Sequence, residues 1–504
     1  MANPKDLDAA LALWRFGLGA QQGSIAAIKD GPRDLLLQEI TEQAVPTPVG
    51  GTLRSSGDLL LALYDYQDQV KAERERPLPA AVEPTSAPAA AGPPGGQMTG
   101  GQIAAAATAM MPGMDKGPDT NAKSMNARPA DKRPNLPQQI LLDEVDARFN
   151  GTIHEPLIGF GERLAMFWAN HFAIATGKGG EVHILAGCFE REAIRPHLFG
   201  RFEDMLVAVE THPAMLVFLD NRQSIGPNSP ANKNGKRGLN ENLAREILEL
   251  HTLGVDGGYT QADVTSFARI ITGWTVFRKE KRPGPQGEFF FNANTHEPGD
   301  HTVMGVTYAE GGVEQGRAVL HDLARYPATA RHLAFKLARH FVSDQPPPQL
   351  VEAMAAAYTK SDGDLSAVYT AMISSDAAWS PRLTKLRPPL QYVTAMLRAS
   401  GLRPKPQQIV STLRALGQPI WDPAGPNGFS DVTDGWASSE GLATRIEAAN
   451  LFAHQVAGGV DPRAFAGDRF GPLLSDETLQ AISRAETRPQ GLSIAFLAPE
   501  FVRS

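Results

Sequence analysis

Apolar residues recur along this chain with a helical period far more often than with the alternation of a strand. Placing residues at about 100° apiece predicts amphipathic helices over 6–17, 31–43 and 57–76 near the start. After a break they continue over 138–149, 161–174, 182–195, 202–211, 213–219, 239–253 and 261–273. Later stretches with the same period are 313–325, 328–343, 347–360, 364–373, 388–400, 406–415, 439–456 and 476–485. Strand-like text is confined to an irregular patch over 274–308, where FFFNANTHEPGDHTVMG suits a short hairpin. The fold expected is mainly α: a large helical single domain with a small irregular or β patch around 274–308. No fixed-period repeat is visible, which argues against a solenoid.

Between Pro77 and Pro137 the pattern vanishes. Pro-, Ala-, Gly- and Met-rich text without period or aromatic anchors cannot bury enough apolar surface to offset its ordering entropy, so a disordered insert is expected there. Because helical text resumes directly afterwards, 1–76 and 138–504 read as parts of one domain interrupted by 77–137.

The densest chemistry lies in GLNENLAREILELHTLGVDGGY, from Gly238 to Tyr259. On a regular helix Leu243, Ala244, Ile247, Leu248 and Leu250 share one face. Glu241, Asn242, Arg245, Glu246 and Glu249 share the other. His251 falls on the apolar side, between Ala244 and Ile247. His171 repeats that placement inside the aromatic stripe Leu164, Phe167 and Trp168. His340 borders the stripe of Leu333, Leu337 and Phe341, whereas His332 points away from it and is expected to be exposed. His296 and His301 sit in the polar loop NTHEPGDH beside Glu297 and Asp300, and a loop of that kind is where a scaffold presents reactive groups.

Two readings of the histidines stand side by side. Each is a core residue bonded to its own local partner, or several converge on one site. A convergent site would draw on Glu246 as ligand or general base, and on His251 and His171 as ligands or acid–base groups. His296 would join them, and Arg245 would act as an anion clamp or as the partner of Glu241. His171, Glu246, His251 and His296 together would suit a divalent metal, and the same groups could act without one. Spacing limits the metal reading. Glu249 and His251 are two apart and diverge by roughly 160° on a helix, so the Glu-x-x-His of di-iron bundles is absent. His-Glu-x-x-His, a phosphate-binding Gly-rich loop and a Gly-x-Ser-x-Gly elbow are absent too. Asp220 and Asn221 end a helix, where capping a turn is the simplest role.

Composition excludes more than it selects. The formal net charge is −7 with both signs interspersed, so the basic footprint of a nucleic-acid binder is missing. The single cysteine, Cys188, rules out an intrachain disulfide and thiolate-rich metal sites. It lies among acids and reads as inert. No stretch reaches the roughly 20 apolar residues of a membrane span. No signal peptide is visible.

Nearly the whole chain resembles the bacterial family termed domain of unknown function 1800. The resemblance rests on LALWRFGLGA, LAMFWANHF, GLNENLAREILELHTLGVDGGYTQADV, ARIITGWTV, FNANTHEPGDHTVMG, LAFKLARHFVSDQPPP, KLRPPLQYV and LGQPIWDPAGPNGFSDVTDGWASSEGLATR. It implies a mainly helical single domain and carries no established reaction. The family loop more usually offers lysine where His301 stands, which favours His296 there. Genes of the family often accompany those of a second one, domain of unknown function 1501, which looks like the alkaline phosphatase–sulfatase fold. The resemblance therefore leaves two functions open. One is an enzyme acting hydrolytically or oxidatively on a cell-envelope or polymeric substrate. The other is a non-enzymatic partner or maturation protein for such a phosphatase–sulfatase-like protein. The compartment expected is the cytoplasm, or export alongside a signal-bearing partner.

Overall fold

The computed structural model describes residues 4–50, 52–75, 135–154, 156–233, 235, 238–277 and 287–504. Nearly all of the insert expected over 77–137 lies outside the described residues. Its last three residues belong to the next helix instead. Asn135 caps Leu136–Gly151, its side chain accepting from the Gln138 amide at 3.3 Å, and Pro137 occupies the first turn, where a missing N–H costs nothing. The described residues up to Gln67 and from Asn135 onward form one compact unit.

This unit is mainly α. Amphipathic helices pack on their neighbours in sequence: Pro327–Phe341 lies on Pro348–Lys360, which lies on Leu365–Ser374. Leu136–Gly151 packs on Gly180–Phe189, and Ser439–Val456 on Arg488–Leu497. Trp14, Trp168 and Trp274 are fully buried among them. The two ends of the described chain share a core. The Trp14 indole donates to the Arg469 carbonyl at 2.9 Å, and its ring meets Phe501 at 5.2 Å.

The irregular patch holds two small antiparallel pairs. Strand β1 (Trp274–Val276) pairs with β2 (Phe289–Phe291), and β3 (His301–Val303) with β4 (Val306–Tyr308). Met304 and Gly305 both have positive φ, which suits the two-residue turn that joins β3 to β4. Short helices at Pro462–Phe470 and Arg488–Leu497 escape the periodic reading. In the first, Arg469 fills a buried position that an apolar residue would have marked.

The helix expected over 239–253 starts later and is not regular. It runs as α from Asn242 to Glu246, then as a π-turn over Ile247–Thr252, with Leu253 N bonding back to Leu248 O at 3.1 Å. The wider turn shifts the phase of everything beyond it. Leu250, expected on the apolar face, is half-buried, and Thr252 is buried in its place. Similar π-turns at Ala12–Phe16 and Glu190–Ile194 also carry buried charged side chains, Arg15 and Glu190. No described helix is long and apolar enough to cross a membrane.

Candidate functional site

Pro327–Phe341 places His332, Lys336 and His340 at i, i+4 and i+8, so all three rise along one stripe. His332, expected to be exposed, is half-buried and bonds the Leu250 carbonyl at 3.2 Å. The adjacent carbonyl, of His251, accepts from His171 Nε2 at 3.1 Å. Two imidazoles from neighbouring helices thus satisfy consecutive carbonyls at the end of the π-turn, groups that a helix terminus otherwise leaves without partners. With Nε2 donating, His171 Nδ1 is an acceptor, and Lys336 Nζ approaches it at 2.9 Å. Burial first, and the Lys336 ammonium second, push His171 well below the usual histidine range. The Lys336 amine is itself lowered, by burial and by Arg339, against the opposing pull of Asp431.

Above this ladder folds the loop GPNGFSDVTDGW. Asn170, the residue before His171, clasps it: its Nδ2 donates to Phe429 O at 2.9 Å and its Oδ1 accepts from Phe429 N at 2.7 Å. Gly428 makes the clasp possible, because it has φ of +73° and a Cβ there would meet the Asn170 carbonyl at 2.4 Å. The loop delivers Asp431 to His340 Nδ1 at 3.0 Å, while Gln391 meets His340 Nε2 at 3.3 Å. Lys385 Nζ donates to the Asp431 carbonyl and to Asp344 Oδ1, each at 2.6 Å. Burial alone would raise the Asp431 carboxyl. Its bond to His340 and the charges of Lys336 and Lys385 outweigh that and hold it charged. Burial outweighs Asp431 and lowers His340 below the usual histidine range.

The expected site residues separate into three places. His171 and His251 come together, with ring centroids 6.1 Å apart. His251 directs Nδ1 to Glu210 Oε1 at 2.8 Å, both side chains fully buried, and not to an acid of its own helix. Its Nε2 is left without a partner. Glu246 is half-buried and its carboxyl is raised by burial, yet no histidine bonds it. Glu241 and Arg245 pair at 3.1 Å in a partly exposed network with Gln261 and Thr265. Tyr259 holds Glu249 at 3.1 Å.

His296 lies elsewhere, beside β1. Its Nδ1 donates to Thr272 O at 2.9 Å, and its buried Nε2 and that of His301 lack partners. Glu297 is occupied by Asn228, through the backbone N at 2.7 Å and Nδ2 at 2.5 Å. Asn221 caps no helix. Its Nδ2 bridges Ile271 O and Trp274 O at 3.1 and 3.0 Å, locking the turn into β1.

The donor sets bear directly on a metal. The Glu210–His251 bond is the carboxylate–imidazole arrangement that orients a ligating histidine. However, His171 has both ring nitrogens engaged, and the unpartnered Nε2 of His296 belongs to no group of three mutually close ligand atoms among the described residues. Among the described residues the group of three ligand-type side chains within mutual reach is Cys188, Glu192 and His212, whose donor atoms lie within 4.8 Å. That group is poorly disposed for coordination. His212 Nδ1 accepts from the Ala214 amide at 3.1 Å, so Nε2 carries the proton that faces Glu192 at 3.3 Å. The Cys188 thiol is pushed well up by burial and by Glu192, as its inert reading requires.

Sequence reasoning passed over Lys336, Asp431 and Glu210. The His-x3-Lys-x3-His spacing was the available signal for the first. Asp431 and Glu210 offer none, because their partners are distant in sequence.

These features define a mainly α-helical protein with a partly buried histidine–lysine ladder roofed by an acidic loop. The chain belongs to the family described as Protein of unknown function (DUF1800), whose model matches residues 11–503. No curated protein matches it, and no solved structure does.

Proposed function

We propose that the chain is an enzyme working by acid–base chemistry at Lys336 and His171, with Asp431 and His340 setting the charge around them. The observation that carries this reading is the 2.9 Å approach of Lys336 Nζ to His171 Nδ1 under the Asp431 loop. A desolvated amine beside other cations loses its proton more readily, and such pairs cluster at reactive sites. Once deprotonated, the amine would take a proton from the attacking water, becoming an ammonium that donates a hydrogen bond to His171 Nδ1 and then passes that proton to the leaving group. Hydrolysis of a polymeric or cell-envelope substrate is the reaction class this supports best.

In this reading Glu246, Arg245 and Glu241 do not perform the chemistry, and a divalent metal is not needed to hold the pair. The test is turnover of isolated cell-wall sacculi and envelope polysaccharides, read as released soluble fragments. Lys336→Met should reduce turnover at least 100-fold while leaving the thermal transition within a few degrees. If wild-type protein releases nothing, yet co-purifies with a phosphatase–sulfatase-like protein, the partner reading replaces this one.

A further inference from the structure

Next to the ladder, on the other side of Asn170, is a half-open cavity of about 50 Å³. One water needs about 10–15 Å³ by this measure, so the space suits about four non-hydrogen atoms. Its walls are apolar: Met166, Ile174 and Leu390 form the lining, and the Trp421 ring stands across it. Three polar side chains reach the wall: Asn170 is spent on Phe429, Gln418 accepts from the Leu390 amide at 2.8 Å through Oε1, and Arg148 has a side chain only 4% exposed. Two of its nitrogens are used, Nε at 3.4 Å from Glu162 and Nη1 at 3.0 Å from Glu190. Its Nη2 is buried and has no partner. An unmade bond at such a buried donor is costly, so the pocket asks for an acceptor.

Charge decides which acceptor. Arg148 and Arg195 are balanced by Glu162 and Glu190, all four buried and mutually paired. The cluster is neutral, and an added carboxylate would have to be desolvated with no net cation to compensate it. A neutral carbonyl oxygen fits instead, with a methyl group against the apolar wall. Trp421 supplies a flat face over the same spot, 5.6 Å from the guanidinium. That face is fixed in advance. Trp421 has φ of +49°, an unfavourable backbone for a bulky residue. Its carbonyl accepts from Thr176 N at 2.9 Å, and its indole donates to Glu190 at 3.1 Å.

We infer that this cavity is a binding site for the acetamido group of a larger neutral molecule, the carbonyl accepting from Arg148 Nη2 and the methyl entering between Met166 and Ile174. The site goes beyond the acid–base reading, because binding here requires nothing of Lys336. The acetamido group could come from an N-acetylated sugar or an N-acetylated peptide, which share this chemistry.

Ligand-observed saturation-transfer NMR on the full chain tests it with four probes: N,N′,N″-triacetylchitotriose, an N-acetyl-lysine peptide, N-methylacetamide and sodium acetate. Saturation should be strongest on the acetyl methyl protons, and acetate should show none above a chloride control. Binding of the sugar alone assigns the source as carbohydrate, and binding of all three amides makes the acetamido group the sole determinant. Filling the cavity with Ala169→Leu, a half-buried lining position, should weaken the amides at least 10-fold. No acetyl saturation with any amide in the wild type, acetate binding as well as the amides, or unchanged binding in folded Ala169→Leu overturns the inference. Wild-type selectivity decides the matter alone should that variant fail to fold. Lys336→Met should keep full binding, so loss of turnover with retained binding, or the reverse, separates this site from the proposed reaction.

Discussion

Two buried arginines, Arg398 and Arg148, solve the same physical problem in opposite ways. Arg398 sits at the seam where the N-terminal segment, the 152–158 loop and the Pro389–Ser400 helix meet. It donates to four backbone carbonyls, Gly19 at 2.8 Å, Ile153 and Pro156 at 2.6 Å and Leu157 at 2.7 Å. Among the described residues no carboxylate bonds it, and each of its three nitrogens is used. Arg148 lies in a four-member ionic cluster, spends its donors on Glu162 and Glu190, and keeps one nitrogen unspent beside a cavity. A guanidinium saturated with carbonyls stitches chain segments together. One balanced by carboxylates holds its charge in place and leaves directional capacity for something else.

The contrast is open to attack at its strongest point first. Replacing Arg398 by Met strands four carbonyls inside the seam, so a loss of roughly 5 kcal/mol is expected, at the extreme of single substitutions. The urea midpoint measures it; a loss below about 1 kcal/mol would mean the seam relaxes around water and that the carbonyl bonds do little.

Glu190→Gln should cost somewhat less, about 3 kcal/mol, because it unbalances a buried ion cluster. It should also change the acid response, because the group removed is itself a titrating carboxylate. The Glu190 carboxyl is held below its ordinary value of 4.5, since Arg148 and Arg195 outweigh the burial that would raise it. Its contribution is therefore present above pH 4.5 and is lost as pH falls through the lowered folded value. Unfolding curves collected from pH 7 down to pH 3 should show a shallower acid limb in Glu190→Gln than in wild type. Equal limbs would remove the cluster from the acid response.

The smallest effect is expected where a charge pair is neither saturated nor buried. Arg245 and Glu241 are 38% and 30% exposed, and Gln261 and Thr265 share the same carboxylate. Arg245→Ala should shift stability by no more than about 0.5 kcal/mol. A drop of several kcal/mol in the same unfolding assay would show that this face is coupled to the interior.

Most helices were legible because their apolar stripes face one continuous core, and period alone reports that. Val313–Arg325, Pro406–Ala415 and Ser439–Val456 begin and end where the pattern does. The site was legible only in part. His171, His251 and His340 are buried, as their phase indicates, whereas His332 left the apolar stripe yet still found a buried carbonyl. A helical wheel locates a side chain relative to its own axis and says nothing of which neighbouring helix presents an acceptor. The same limit hid Lys336, whose stem leaves its helix beside His340 but whose partner, His171, is 165 residues away. The wheel also assumed an unbroken α-helix, which the π-turn at Ile247–Thr252 is not.

That π-turn has a consequence for how this stretch tolerates insertion and deletion. Excising a single residue between Ile247 and Thr252 would let the segment close into ordinary α-helical turns, at no cost in backbone hydrogen bonds within the helix. It would also wind the flanking chain by about 100°. The carbonyls that His332 and His171 now hold would swing off their donors, and the Thr252 hydroxyl would lose Ile247 O, now 2.6 Å away. A frame-preserving one-codon deletion here should thus be far more damaging than a point substitution at the same positions. The extra residue serves as a spacer that sets the angular alignment of two helices.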